Sequence, residues 1–361
     1  MFQWFLQALF DLDTTRREGP IPPAPPKDLT PCGPCYIAEL PFELLLPILD
    51  LGAEGYSTRD RQRKLNSFSL ICRAWREVAQ TLLWHSPTFV SSTAARRFLE
   101  IEPEGGYVTR SLTVYAPRSG DVRRRVTVDL VEKLVERCRP RELDLDELPG
   151  PVLSSPGLAD LKILRFEETR YSHPYPKSVP FSLDRLSITA YSNRNRNAYL
   201  SDCRQQLFSL LTTSSLDTLT HLDLQDVEDP EIFAFCIPFA SFTHLTHLIL
   251  PTYPVKRFSR YEEELLDDLV GSFLAKATRL AHLSLGDLTP TTFKHVRSAL
   301  PSTLEVVTVR QYAGLQLSLL VEALRDGNVE LKELRLPRGS LEGGKERGFV
   351  GMGEEYWCVC Y

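Results

Sequence analysis

The chain has 361 residues, 43% hydrophobic and 25% charged, with a formal net charge of −5. That is the composition of a globular protein with room for two domains, and it excludes the disordered class. No apolar run approaches the ~20 residues that a membrane helix needs, and the mildly acidic balance argues against nucleic acid or a membrane as partner.

Residues 1–37 read as an N-terminal extension. It opens with the apolar stretch Met1 to Phe10 and passes through the proline-rich run Gly19 to Pro26. The apolar stretch lacks the basic start and small-residue cleavage site of a signal peptide. The eight cysteines are scattered, which fits a reducing compartment, cytoplasmic and/or nuclear, and no disulfide framework. Cys32-Gly-Pro-Cys35 copies a redox tetrapeptide, but polyproline sequence precedes it where a thioredoxin has a strand.

Residues 38–88 form the first compact module. Leu40-Pro41-Phe42-Glu43 suits a helix start, because proline loses nothing in the first turn and glutamate complements the helix dipole. Leu65, Phe68, Ile71, Cys72, Trp75, Val78, Ala79 and Leu82 recur at helical spacing and predict one apolar stripe. Helices this short cannot bury that much apolar surface among themselves, so a further surface is needed to cover it. The order Leu-Pro-x-Glu, then apolar-Cys-Arg-x-Trp, then Leu83-Trp84 resembles the F-box, the helical module that docks on the Skp-type adaptor of cullin–RING ubiquitin ligases. The resemblance implies adaptor binding by Leu40, Pro41, Leu44, Ile48, Leu70, Cys72, Trp75 and Trp84. Trp75 has the alternative role of core residue within the module. The sequence departs from the pattern at Pro47 and in a polar insertion from Gly52 to Lys64. Without the resemblance, the same residues describe an ordinary helical hairpin.

Residues 89–338 read as a linker helix, spanning Thr88 to Ile101, followed by a repeat region. Strand-like cores begin at Leu112, Leu143, Leu164, Leu186, Leu222, Leu248, Leu283, Val307 and Leu334, spaced 21 to 36 residues apart. A further leucine stands three positions before most of them. Helical patterns lie between, at Val128 to Cys138, Leu265 to Leu274 and Leu317 to Leu324. Helix alternating with short strand predicts an α/β fold with a parallel sheet. The spacing resembles irregular leucine-rich repeats, which implies a short all-helical F-box module followed by a solenoid with parallel strands. The asparagine that usually follows the core is missing, with Val227 and Leu288 standing at two of its positions. An ordinary doubly wound α/β domain is the alternative, and no glycine-rich phosphate loop follows any strand. Residues 339–361, rich in glycine, read as a flexible tail.

No catalytic constellation emerges, and no cofactor or metal is expected. His221, His247 and His282 each stand immediately before a strand core, so in adjacent parallel repeats they form one column ~5 Å apart. A metal site and a plain surface ladder both fit that column, and the ladder is the favoured reading. Exposed positions of the strands fit equally an ordinary solvated face and a substrate face that includes the histidines and is acidic at Glu142, Asp144 and Glu167 and basic at Arg310 and Arg335. Together these readings describe a non-catalytic, fungal-type substrate receptor of an SCF-type E3 ubiquitin ligase. Its expected partners are the Skp-type adaptor, the cullin scaffold and an unknown protein substrate. The alternative is a repeat scaffold without a ubiquitin-ligase role.

Overall fold

The structure is a computed structural model. It describes residues 40–53, 58–101, 108–115, 126–147, 150–168, 176, 178–188, 213–224, 243–250, 271–288, 300–312, 331–337, 349–352 and 356–359. The chain divides into two compact units, Met1–Pro140 and Arg141–Tyr361. The division falls well after the 88/89 boundary expected from the sequence, so the linker helix and the first strand core belong to the first unit.

In the first unit, α1 (Phe42–Ala53), α2 (Thr58–Ser69) and α3 (Arg73–His85) pack around Leu45, Leu49, Ala53, Leu65, Val78, Ala79 and Leu82. Pro41 starts α1 by accepting the Leu44 and Leu45 N–H groups, and Pro47 is accommodated inside the helix. The predicted single stripe from Leu65 to Leu82 is broken, because residues 70–72 turn between α2 and α3. The turn is closed by Leu70 N to Ser67 O and Ile71 N to Phe68 O. The supposed polar insertion is largely helical: Gly52 ends α1, and 58–64 supply the start of α2. Asp50 and Arg61 tie the two helices together at 2.5 Å.

The linker helix is shorter than expected. Thr88–Phe89 form strand β1, and α4 (Ser92–Glu100) begins only after Ser91, whose hydroxyl accepts the Ala94 N–H as an N-cap. β2 (Ser111–Val114) pairs parallel with β1. α5 (Val128–Cys138) completes the unit, and its Arg137 guanidinium donates to the Leu99 and Ile101 carbonyls while lying over the Phe98 ring. That cation satisfies the orphan acceptors at the end of α4.

The second unit is an open sheet ordered β3-β4-β5-β6-β7-β8-β9-β10-β12-β11. Its strands are β3 (Glu142–Glu147), β4 (Ile163–Glu168), β5 (Arg185–Ile188), β6 (His221–Asp223), β7 (His247–Ile249), β8 (His282–Leu288), β9 (Val306–Tyr312) and β10 (Glu333–Pro337), followed by β11 (Phe349–Met352) and β12 (Tyr356–Val359). β3 to β10 are joined by parallel pairings throughout. Each strand-core position expected from the sequence is a strand.

Register explains why leucine dominates. Leu143, Leu164, Leu186, Leu222, Leu248, Leu283, Val307 and Leu334 face one another across successive strands. Each of them is at most 1% exposed. The leucines three positions earlier, from Leu161 to Leu331, form a second buried column. Between the columns, one carbonyl per repeat accepts two consecutive N–H groups of the next. Asp184 O takes Thr220 N and His221 N at 2.9 and 3.2 Å, Thr220 O takes Thr246 N and His247 N at 2.9 and 3.0 Å, and Thr246 O takes Ala281 N and His282 N at 3.0 and 2.9 Å.

The described connections are of several kinds. β3 and β4 are joined through 3-10 turns at Gly150–Ser154 and Pro156–Leu158. Among the described residues, the single turn α6 (Thr213–Leu216) precedes β6, and 271–276 are helical before β8. The predicted helix at 317–324 and most of that at 265–274 lie outside the described residues. The tail also differs from expectation. Instead of remaining flexible throughout, it returns as an antiparallel hairpin, with β12 pairing β10 and β11 pairing β12. The aromatic and β-branched sequence Tyr356 to Val359 suits a strand, and the hairpin covers the edge that β10 would leave open.

Replacing Leu248 with alanine is expected to cost about 2–5 kcal/mol, because it opens a cavity in the central leucine column. Replacing the half-buried Ser284 on the opposite face is expected to cost under about 0.5 kcal/mol. Denaturant midpoints of the two variants check the difference.

Candidate functional site

Two surfaces need explanation, one in each unit. In the first unit α1 is apolar on two sides. Leu45, Leu49 and Ala53 enter the core, while Phe42, Leu44, Ile48 and Leu51 are exposed. Leu70 and Ile71, in the turn after α2, are exposed as well. Leu51 and Leu70, each 67% exposed, lie in water at a hydrophobic cost that a folded chain ordinarily avoids. Among the described residues, exposed large apolar side chains concentrate in this segment, with Val108 the exception. Such a concentration marks an interaction surface.

The residues expected to bind an adaptor separate into three groups. Leu44, Ile48 and Leu70 are exposed with Pro41, while Leu40 and Cys72 are half-buried, Leu40 against the core. Trp75 packs against the core and meets Phe68 edge-on, ring centroids 5.5 Å apart at 82°. Its indole N–H is buried without an acceptor among the described residues. Trp84 is a correction: it is 9% exposed, its ring 4.7 Å from that of Phe98, and it belongs to the core. Phe42 and Leu51 are exposed residues that sequence reasoning missed. The readable signal was an α1 whose apolar residues exceed what a single buried stripe can hold.

In the second unit, alternate strand positions face a groove of ≈ 320 Å³. His221, His247 and His282 stand opposite one another in register. Their rings stack with centroids 4.0 Å apart and interplanar angles of 11° and 7°. The predicted column is therefore real and closer than strand spacing requires. Arg185 precedes it in register and Val306 follows it.

Threonines that sequence reasoning did not single out set the chemistry of this column. Thr220 Oγ1 donates to Asp184 O at 3.0 Å and lies 2.8 Å from His221 Nδ1. Thr246 Oγ1 donates to Thr220 O at 3.1 Å and lies 2.9 Å from His247 Nδ1. A hydroxyl has one proton, and a carbonyl can only accept. Both contacts are satisfied only if each imidazole donates from Nδ1, which leaves Nε2 as a bare acceptor. Burial first, then the neighbouring His221 and His282 rings, and last Arg185, keep His247 down at about 4. His221 is lowered by burial, Arg185 and His282. Both rings are neutral at pH 7.

This geometry opposes a shared metal. In-plane lone pairs of parallel rings run side by side, and an ion ~2.1 Å from both nitrogens would sit far off each lone-pair axis. Among the described residues no group of three or more histidine, cysteine, aspartate or glutamate side chains is arranged to hold an ion.

Along the described part of this face, charges of both signs are interleaved. Glu142 and Asp144 stand at its β3 end, but Arg165 faces Asp144 in register and Arg185 follows on β5. At the other end Arg335 forks onto Glu333 at 3.0 and 2.9 Å, and Lys332 meets Glu305 at 2.7 Å. Charges alternate and compensate locally. Arg165, Arg185 and Glu333 stand at strand positions of this face and are residues that sequence reasoning missed. The side chains of Glu167 and Arg310 lie outside the described residues, as do Cys32, Cys35 and Cys360.

Comparison with known proteins found no family model that matches the chain and no curated protein significantly similar to it. Among the described residues no helix is long and apolar enough to cross a membrane.

The depressed histidines predict acid sensitivity. Their folded-state values lie below the ordinary 6.5, so the unfolded chain binds more protons at mildly acid pH. The stabilisation is complete above about pH 6.5 and is lost as pH falls toward about 4. Denaturant midpoints measured from pH 7 to pH 5 should fall less steeply in His247→Asn than in the unsubstituted protein.

Proposed function

We propose that the protein is a substrate receptor of an SCF-type ubiquitin ligase. Its first unit acts as an F-box docking on a Skp-type adaptor, and its second unit, a leucine-rich-repeat solenoid, holds a target protein. The observation that carries this reading is the uncovered apolar face of α1 and the following turn. It includes Leu44, Ile48 and Leu70, the exposed apolar members of the residue set that the F-box resemblance implies. The half-buried Trp75 supports the reading as the residue that anchors α3 behind that face. The in-register leucine columns and the doubly accepting carbonyls support the repeat assignment.

The mechanism is proximity. A non-catalytic receptor raises the effective concentration of target lysines at a charged ubiquitin-conjugating enzyme. Under this reading the chain itself supplies binding faces and no reacting group.

Co-purification with a Skp-type adaptor tests the proposal. Leu44→Glu/Ile48→Glu places two charges on exposed positions, so the fold should persist by circular dichroism while adaptor capture falls at least tenfold. Leu45→Glu is the contrasting variant and should unfold the unit, because Leu45 lies in its core. No capture by the unsubstituted protein would leave a repeat scaffold without a ubiquitin role.

A further inference from the structure

The groove over β4 to β9 has a donor and acceptor pattern that selects among ligand classes. At its centre, with the Thr220 and Thr246 hydroxyl protons on the carbonyls of Asp184 and Thr220, His221 and His247 donate from Nδ1 and present bare Nε2 acceptors. Nδ1 lies on the side of the ring nearer its own backbone, so Nε2 is the edge turned toward the groove. One strand away from His221, in register with it, stands the exposed guanidinium of Arg185, which can only donate. Neighbouring strands lie ~4.8 Å apart, so Arg185 and the first imidazole fall within reach of one small polar group.

The charges around the stack come from several strands. Arg185 is on β5 and Arg165 on β4. On β6, Asp223 accepts the Ser187 hydroxyl at 3.3 Å and has further interactions. At the His282 end, Glu305 pairs with Lys332, and Glu333 with Arg335. The acids are thus engaged. An ammonium ion would satisfy the two imidazole lone pairs but meet the Arg185 charge. A carboxylate would satisfy Arg185 but set its own lone pairs against those of the imidazoles. A shared metal is opposed by the parallel rings.

We propose that the groove binds a primary carboxamide, the side chain of an asparagine or glutamine in a bound polypeptide, through Nε2 of His221 and His247 with Arg185 donating to the amide oxygen. A carboxamide alone among these groups meets both demands. Its two N–H bonds diverge by ~120°, so at ~2.9 Å they reach acceptors ~5 Å apart. Rings stacked with centroids 4.0 Å apart are bridged by bending each N–H about 15° off its line, an offset that a hydrogen bond tolerates and a short coordinate bond does not. The groove volume of ≈ 320 Å³ suits an amide side chain and its flanking backbone. That the ligand is a polypeptide rests on reading the second unit as the target-binding part of a receptor. The preference for an amide over charged groups rests on the groove alone.

Histidine side-chain nitrogen NMR on the full chain at pH 7 tests it, with acetamide, sodium acetate and ethylammonium chloride as probes. We expect Nδ1–H tautomers at His221 and His247. Acetamide should shift the Nε2 resonances of both, while acetate and ethylammonium leave them in place. In His247→Phe, which keeps a ring in the stack but removes the acceptor, the acetamide shift at His221 should fall at least twofold. Nε2–H tautomers, no response to acetamide, or an equal response to either ion would overturn the assignment. Adaptor capture is measured on the other unit, so its failure would remove the ubiquitin reading and leave this result standing, and the reverse also holds.

Discussion

The second unit depends on one constraint: every repeat must place its leucines, and the carbonyl just before its strand, in the same register as the last. A parallel sheet cannot be closed by hairpins, so each strand is positioned by a crossover and by its neighbour. The double acceptance at Asp184, Thr220 and Thr246 anchors each strand entry to the repeat before it. A slip by one residue would turn the leucine column out to water and bring the histidines inside. The buried column and the exposed histidine column are therefore the same fact seen from two faces of the sheet.

That constraint also explains why the histidines bear a defined chemistry and do not simply decorate a surface. The threonine before each ring belongs to the strand entry, and its hydroxyl helps to fix the backbone there. Its short contact with the imidazole Nδ1 is a second use of the same atom. Backbone stacking thus determines which ring nitrogen lies against the hydroxyl and which is left to the groove.

Much of this was legible in the residues. The Leu-x-Leu spacing located the strands because burial on one face imposes a period of two. The histidine column followed from the equal position of His221, His247 and His282 before their cores. What could not be read was the form of the link between β3 and β4. Val152, Leu153 and Leu158 fill the space behind β3 and β4 from 3-10 turns, because tertiary burial outweighs local helix propensity in so short a link. The turn at 70–72 was likewise hidden, since Leu70 and Ile71 continue the apolar pattern of α2 while pointing outward. Trp84 was misplaced for a related reason. An aromatic residue at the end of a helix looks the same whether it meets a partner or, as here, its own Phe98.

The two-sided apolar character of α1 has a consequence for the life of the chain in solution. Whatever covers Phe42, Leu44, Ile48 and Leu51 engages the folded unit and not the unfolded one, so its concentration adds to the unit's stability by mass action. Without that cover the same side chains are a route to self-association. A partner that covers this face would couple the abundance of the intact chain to its own supply, and an excess of the free form would be the species most exposed to aggregation and turnover.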